Sequence, residues 1–144
     1  TATQALKTFG TGVLPSHYLE MVKSRLYDED TKAAWTLHRV VRDFMSAFTP
    51  VCPFFTHHVS STIYDASAVD VDAFPEQAYP EVAMGTEKGD ALRALSSSLQ
   101  TFNGDTWGYK KEQGISLNQP VSGVEIPESL EAFTAILTRM HSLE

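Results

Sequence analysis

Apolar and polar positions alternate at helical spacing along most of this chain. The stretch from His17 to Tyr27 places Tyr18, Met21, Val22 and Leu26 on or near one stripe, with Lys23 and Arg25 held away from it. From Thr31 to Thr49, the residues Ala34, Leu37, Val41, Phe44 and Phe48 recur at spacings of three and four, the longest clean helical signal in the chain. Before these, Ala2 to Phe9 reads as a helix stopped near Gly10 and Gly12. Pro15 and Ser16 then start the next helix, with Ser16 placed to cap its free N–H groups. Asp28, Glu29 and Asp30 close that helix, and they suit the positive N-terminal end of the one that follows.

Pro50 ends the third helix. Pro53 opens a fourth, outlined by Phe54, Phe55, Val59 and Ile63. Residues 65–85 read as a long loop with one extended piece around Val69–Val71. A fifth helix starts near Thr86 and carries Leu92, Leu95, Leu99 and Phe102. Asn103, Gly104 and Gly108 weaken its continuation towards Trp107 and Lys111, and Gly114 ends it. Val121, Val124 and Ile126, with Pro120 and Gly123 among them, suggest one or two short strands. Pro127 opens a last helix with Leu130, Phe133, Ile136, Leu137 and Met140 on its apolar side. The expected fold is mainly α: a helical bundle with a small extended appendage near 115–126. A single domain over 1–144 is expected, with the core bundle in 1–114 and the short extended segment and terminal helix in 115–144.

The totals narrow this picture without redirecting it. The 144 residues are enough to bury a real core, and 42% hydrophobic with 20% charged residues is ordinary for a soluble domain. No apolar run approaches the roughly 20 residues needed to cross a bilayer as a helix. The opening residues lack the build of a signal peptide and read as interior chain, so the expectation is a piece of a longer polypeptide. Cys52 is the single cysteine. It excludes an internal disulfide, favours a reducing, cytoplasmic setting, and is expected as a buried inert thiol.

Charge alters the reading more. The net charge of −7 argues against a polyanionic partner, but its distribution does not. Residues 1–50 carry Lys7, Lys23, Arg25, Lys32, Arg39 and Arg42 against Glu20, Asp28, Glu29, Asp30 and Asp43. Residues 51–90 set Lys88 alone against Asp65, Asp70, Asp72, Glu76, Glu81, Glu87 and Asp90. The first third therefore stays competent for an anion. Arg39 and Arg42 are three apart and share a helix face; Lys110 and Lys111 form a third basic point beside Trp107 and Tyr109. Cations next to aromatic rings suit unstacked RNA bases, which need a surface to stack on while phosphates are neutralised. A solvated helix face with ordinary surface pairs to Glu20, Asp28 or Asp43 is the plainer account of the same cations, and a core position the plainer account of Trp107.

Three segments carry a family resemblance. Tyr18-Leu19-Glu20-Met21-Val22-Lys23-Ser24-Arg25-Leu26-Tyr27 matches a Tyr-Leu-Glu-x-x-Lys-x-Arg-x-Tyr element. Phe48-Thr49-Pro50-Val51-Cys52-Pro53-Phe54-Phe55-Thr56 follows a Leu-Ala-Pro-x-x-Pro-Phe-hydrophobic-Thr pattern. Trp107-Gly108-Tyr109-Lys110-Lys111-Glu112-Gln113-Gly114-Ile115-Ser116-Leu117 is similar to a basic helix end followed by Gly-hydrophobic-Ser-Leu. In this order they resemble the anticodon-binding domain of the valyl-tRNA synthetase family, and Lys23 with Arg25 favour valine over the isoleucine and leucine relatives. His57 and His58 depart from the family, which has two acids there. On a helix their side chains point about 100° apart, unsuited to one shared metal ion.

The resemblance implies a helical bundle that binds the anticodon stem and loop, with Lys23, Arg25, Arg39 and Arg42 on the backbone and Trp107, Lys110 and Lys111 as a second patch. It further implies a monomer that binds valine tRNA beside the catalytic domain of the same polypeptide. That parent would ligate valine to its tRNA, and its ATP and magnesium would belong to the parent's catalytic domain. No Gly-rich phosphate loop, His-x-Gly-His or Lys-Met-Ser-Lys-Ser signature occurs here, so no cofactor, metal or catalysis is expected of this segment. The competing readings are the same domain from an isoleucyl- or leucyl-tRNA synthetase, or a helical protein-interaction module docking through its acidic 65–90 region.

Overall fold

The computed structural model describes residues 1–65 and 85–144. These fall into two compact units, one within Thr1–Ala78 and one within Tyr79–Glu144. The expected mainly α-helical architecture is what the structure shows. The expected loop at 65–85, with its extended piece, lies almost wholly outside the described residues.

In the first unit, α1 (Ala2–Thr8) begins at Thr1, whose hydroxyl accepts the Gln4 N–H at 3.3 Å. Gly10 and Gly12 do not stop it. The backbone instead widens into an 11-residue π-helical stretch, Phe9–Leu19, and then tightens into α2 (Glu20–Tyr27). Pro15 sits inside this stretch, and Ser16 is an interior position rather than a cap. Proline lacks the N–H that an α-helix needs, and its ring clashes with the carbonyl four residues back. The wider winding accommodates a helix that α-geometry would have broken. Gly10 has a second role, because a Cβ there would stand 2.5 Å from the Phe44 ring. Its bare backbone is what admits that ring.

The end of α2 is closed by Glu29 at φ 57°, with Asp30 N–H bonded to the Arg25 carbonyl at 2.9 Å and Glu29 N–H to the Leu26 carbonyl at 3.1 Å. This paired bonding satisfies carbonyls that a helix end would leave bare. Asp30 then caps α3 (Thr31–Phe48), its carboxylate accepting from the N–H groups of Lys32 and Ala33 at 2.9 and 3.2 Å. The helix α3 is central to this unit and touches α1, α2 and α4 (Pro53–Tyr64). Its Phe44 ring lies 5.7 Å from Phe9 and 5.4 Å from Phe48.

Pro53 opens α4 as expected, but the buried face is not the apolar one. Thr56 and Ser60 are buried, whereas Phe54 is 91% exposed, Phe55 54% and Ile63 56%. Thr56 can go inside because its hydroxyl folds back onto the Cys52 and Pro53 carbonyls at 3.1 and 3.2 Å, leaving no unmet donor. Cys52, half-buried, stands just before the helix.

In the second unit, α5 (Glu87–Glu112) runs unbroken through Gly104 and Gly108 from the Thr86 cap. Gly114, at φ 67°, ends it with the same paired closure, Ile115 N–H reaching the Lys110 carbonyl at 2.8 Å. The final helix opens after Pro127 as a tight 3₁₀ turn, Glu128–Phe133, and relaxes into α6 (Thr134–His141). Phe102, Leu130 and Leu137 form the core, with Leu95, Leu99, Val124, Ile126, Phe133 and Leu143 packed around them. Between α5 and the 3₁₀ turn the chain is irregular; its β-character amounts to one bridge, Val121 to Leu143. Among the described residues no helix is long and apolar enough to cross a membrane.

Candidate nucleic-acid interface

The four cations expected to meet an RNA backbone all lie in the first unit, on the adjacent helices α2 and α3. Lys23 is exposed on α2, 3.5 Å from Glu20 one turn earlier. Arg25 is two residues further on, so the helix turns it about 200° away from Lys23. It reaches the α3 cap instead, donating from Nε and from a terminal guanidinium nitrogen to Asp30 at 2.9 and 2.7 Å. That guanidinium hydrogen bond, aided by the Ala33 and Lys32 N–H groups, holds the Asp30 carboxyl below the usual carboxylate range. On α3, Arg39 donates to Asp43 one turn on, at 2.8 Å.

Arg42 differs from these three. Its guanidinium carbon lies 5.7 Å from the centre of the Tyr64 ring at the end of α4, and no carboxylate pairs with it among the described residues. The Tyr64 hydroxyl is in turn 3.1 Å from His38 Nδ1, and the two rings meet edge to face at 5.7 Å. Burial pushes the Tyr64 hydroxyl pKa up, with Arg42 opposing it, so the phenol stays neutral beneath the cation.

The second expected patch lies in the other unit and divides. Lys111 is exposed, and with Trp107, Ile115 and Leu117 it lines a shallow concavity of about 720 Å³ at the end of α5. Lys110 is fully buried. Its ammonium donates to the carbonyls of Leu117 and Gln119 at 2.8 and 2.6 Å, clamping the loop that forms one wall of this concavity. One residue of helix turns a side chain by about 100°, enough to send one lysine inward and the next outward. Lys110 thus supports the loop instead of facing solvent, a correction to the sequence expectation, and burial lowers its pKa.

Trp107 is half-buried, its ring 5.5 Å from that of His141. Sequence reasoning missed His141 itself: it is fully buried on α6, its Nε2 2.8 Å from Asn103 Oδ1 on α5, while its Nδ1 lacks a partner. Burial, reinforced by the Lys110 charge, lowers its pKa to about 4. It is therefore a neutral ring whose Nε2–H donates to Asn103, tying the terminal helix to α5. Only the spacing of Asn103, Thr106 and Lys110 on one side of α5 hinted at a polar buried strip there. His57 and His58 are both exposed. Among the described residues no cluster of histidine, cysteine or carboxylate side chains could hold a metal ion.

The comparison with known families decides the assignment. Residues 1–126 match the model described as the anticodon-binding domain of tRNA ligase. The chain belongs to that family. Its curated relatives include the valine–tRNA ligases of Aeropyrum pernix, 28% identical over 139 residues, and of Methanothrix thermoacetophila, 32% identical over 138. These alignments cover 90% and 92% of this chain but only 16% and 15% of those proteins. The valine–tRNA ligase of Nanoarchaeum equitans is 25% identical, with 96% of this chain and 17% of the relative covered. The chain thus spans about one sixth of the length of the curated relatives it matches. No solved structure gives a significant match. Within the anticodon-binding family, the expectation drawn from the three sequence segments is met.

Proposed function

We propose that this chain recognises the anticodon stem and loop of valine tRNA, as the non-catalytic part of a polypeptide that ligates valine to that tRNA. The match of residues 1–126 to the anticodon-binding domain of tRNA ligase carries this reading, and the exposed cations on α2 and α3 support it. Lys23, Arg25 and Arg42 are exposed, and Arg39 is partly so. Their carboxylate partners Glu20, Asp30 and Asp43 do not argue against it. Exposed ion pairs of this kind contribute at most about 1 kcal/mol, so a phosphate can displace a carboxylate at little cost. Phosphate contacts would set the register of the stem, while stacking and base-edge contacts in the loop would carry identity. Lys111 and Trp107 supply the second patch. The ligation itself, with its ATP and magnesium, would belong to the parent's catalytic domain.

The test is a titration of a valine tRNA transcript against this chain and against a Lys23→Glu, Arg25→Glu double variant. Each lost phosphate contact should weaken binding and flatten the logarithmic salt dependence by about 1. Equal affinities that do not respond to salt would overturn the proposal. Exchanging the anticodon of the transcript for that of isoleucine or leucine tRNA tests the valine assignment, since binding that ignores the exchange would refute it.

A further inference from the structure

We propose that Trp35 is a stacking platform for an unpaired nucleobase, with Arg42 beside it for a phosphate; this rests on the anticodon-binding reading and extends it to Trp35. Trp35 is 59% exposed on α3. Spacings of three and four bring His38 and Arg42 onto its face, opposite Phe44, whose ring packs on Phe9 and Phe48. Leaving so large a ring in water forgoes burial that Trp normally obtains, and it is explained when a flat apolar partner covers the ring during function.

The surroundings select the kind of partner. His38 and the Tyr64 hydroxyl bond to each other, and the Arg42 guanidinium lies over the Tyr64 ring, which fixes the cation without neutralising it. Trp35 and Arg42 are two turns apart, about 10.5 Å along the helix axis. A ring and a fixed guanidinium on one helix face suit a splayed-out nucleotide, whose base stacks while a phosphate is paired. An apolar protein surface would leave the Arg42 charge buried without a counter-charge.

Incorporating fluorotryptophan gives two fluorine resonances, from Trp35 and Trp107, which Trp35→Phe assigns. On addition of an RNA hairpin comprising the valine anticodon stem and loop, the Trp35 resonance should shift saturably. Trp35→Ala should weaken binding by about tenfold and Trp35→Phe by much less, because the smaller ring still stacks. Arg42→Gln should flatten the salt dependence by about 1. RNA binding that leaves the Trp35 resonance and the Trp35→Ala affinity unchanged would overturn this inference and leave the anticodon reading standing. Failure of the wild-type chain to bind any tRNA would overturn both. A Trp35 resonance that moves with protein concentration but not with RNA would show a protein contact instead and refute the platform.

Discussion

Lys110 and His141 are both fully buried, and each is accommodated differently. The lysine keeps its charge and gives it to two carbonyls, while the histidine surrenders its charge and keeps one hydrogen bond. This predicts a pH dependence. In the unfolded chain His141 takes up a proton near its ordinary pKa of 6.5, but in the folded chain only near 4. As pH falls through that window the unfolded state binds the extra proton, so stability falls, by up to about 1.4 kcal/mol per pH unit. Below the window both states are protonated and the loss stops. Urea denaturation at stepped pH should show this slope, and His141→Gln should remove it. Gly10 is a steric counterpart. Gly10→Ala should destabilise by about 1–3 kcal/mol through collision with Phe44, and Phe44→Leu in the same chain should recover part of it. Thermal melts of the single and double variants would show whether the two sites are coupled.

At the level of elements, junctions decide more than helix interiors. The π-helical stretch carries α1 into α2 across a proline, and the Asp30 cap begins α3 while holding Arg25. That carboxylate has two tasks, which a single substitution separates. Asp30→Ala should lower the melting temperature through the lost cap. The Asp30 pKa is lowered in the fold, so its contribution is present above the ordinary carboxylate range and lost as pH falls through the lowered value; the variant should lack that acid loss. The same change frees Arg25 of its competitor, so tRNA affinity should rise while the melting temperature falls. Parallel titration and melting would check the opposed signs. In α4 the exposed Phe54, Phe55 and Ile63 follow from a choice of face: the two small hydroxyl residues Thr56 and Ser60 take the inner side instead.

For the whole molecule, the net charge of −7 does not by itself exclude a polyanionic partner, because repulsion depends on where charges lie. Cations on α2 and α3 act locally, because charges separated by more than a Debye length of roughly 8–10 Å are largely screened at physiological salt. If about three phosphates of the stem are neutralised, affinity for tRNA should fall roughly fortyfold between 50 and 200 mM salt, a slope of about −2.7 on logarithmic axes. Filter binding across that range measures it, and a flat profile would contradict contact with the backbone.

The local signals that lie wholly within a few residues were legible in the sequence. The α3 periodicity, the Thr86 start and Gly114 stop of α5, and proline at the first turn of α4 each depend on neighbours four residues away or fewer. The three segments that resemble one family were legible for the same reason. Other features needed the third dimension. Gly10 looks like a helix stop and Pro15 like a helix start until Phe44 and a wider winding place both inside one continuous stretch. Thr56 looks like a solvent residue until its hydroxyl is satisfied within its own helix, and Lys110 resembles Lys111 until about 100° of rotation brings it to the loop carbonyls. Tyr64 and Arg42 lie far apart along the chain and meet only when α3 and α4 pack. Sequence alone determined where helices could form and which family they serve. Folding decided which face each helix turns inward, because burial energy depends on what lies opposite and not on what lies next in the chain.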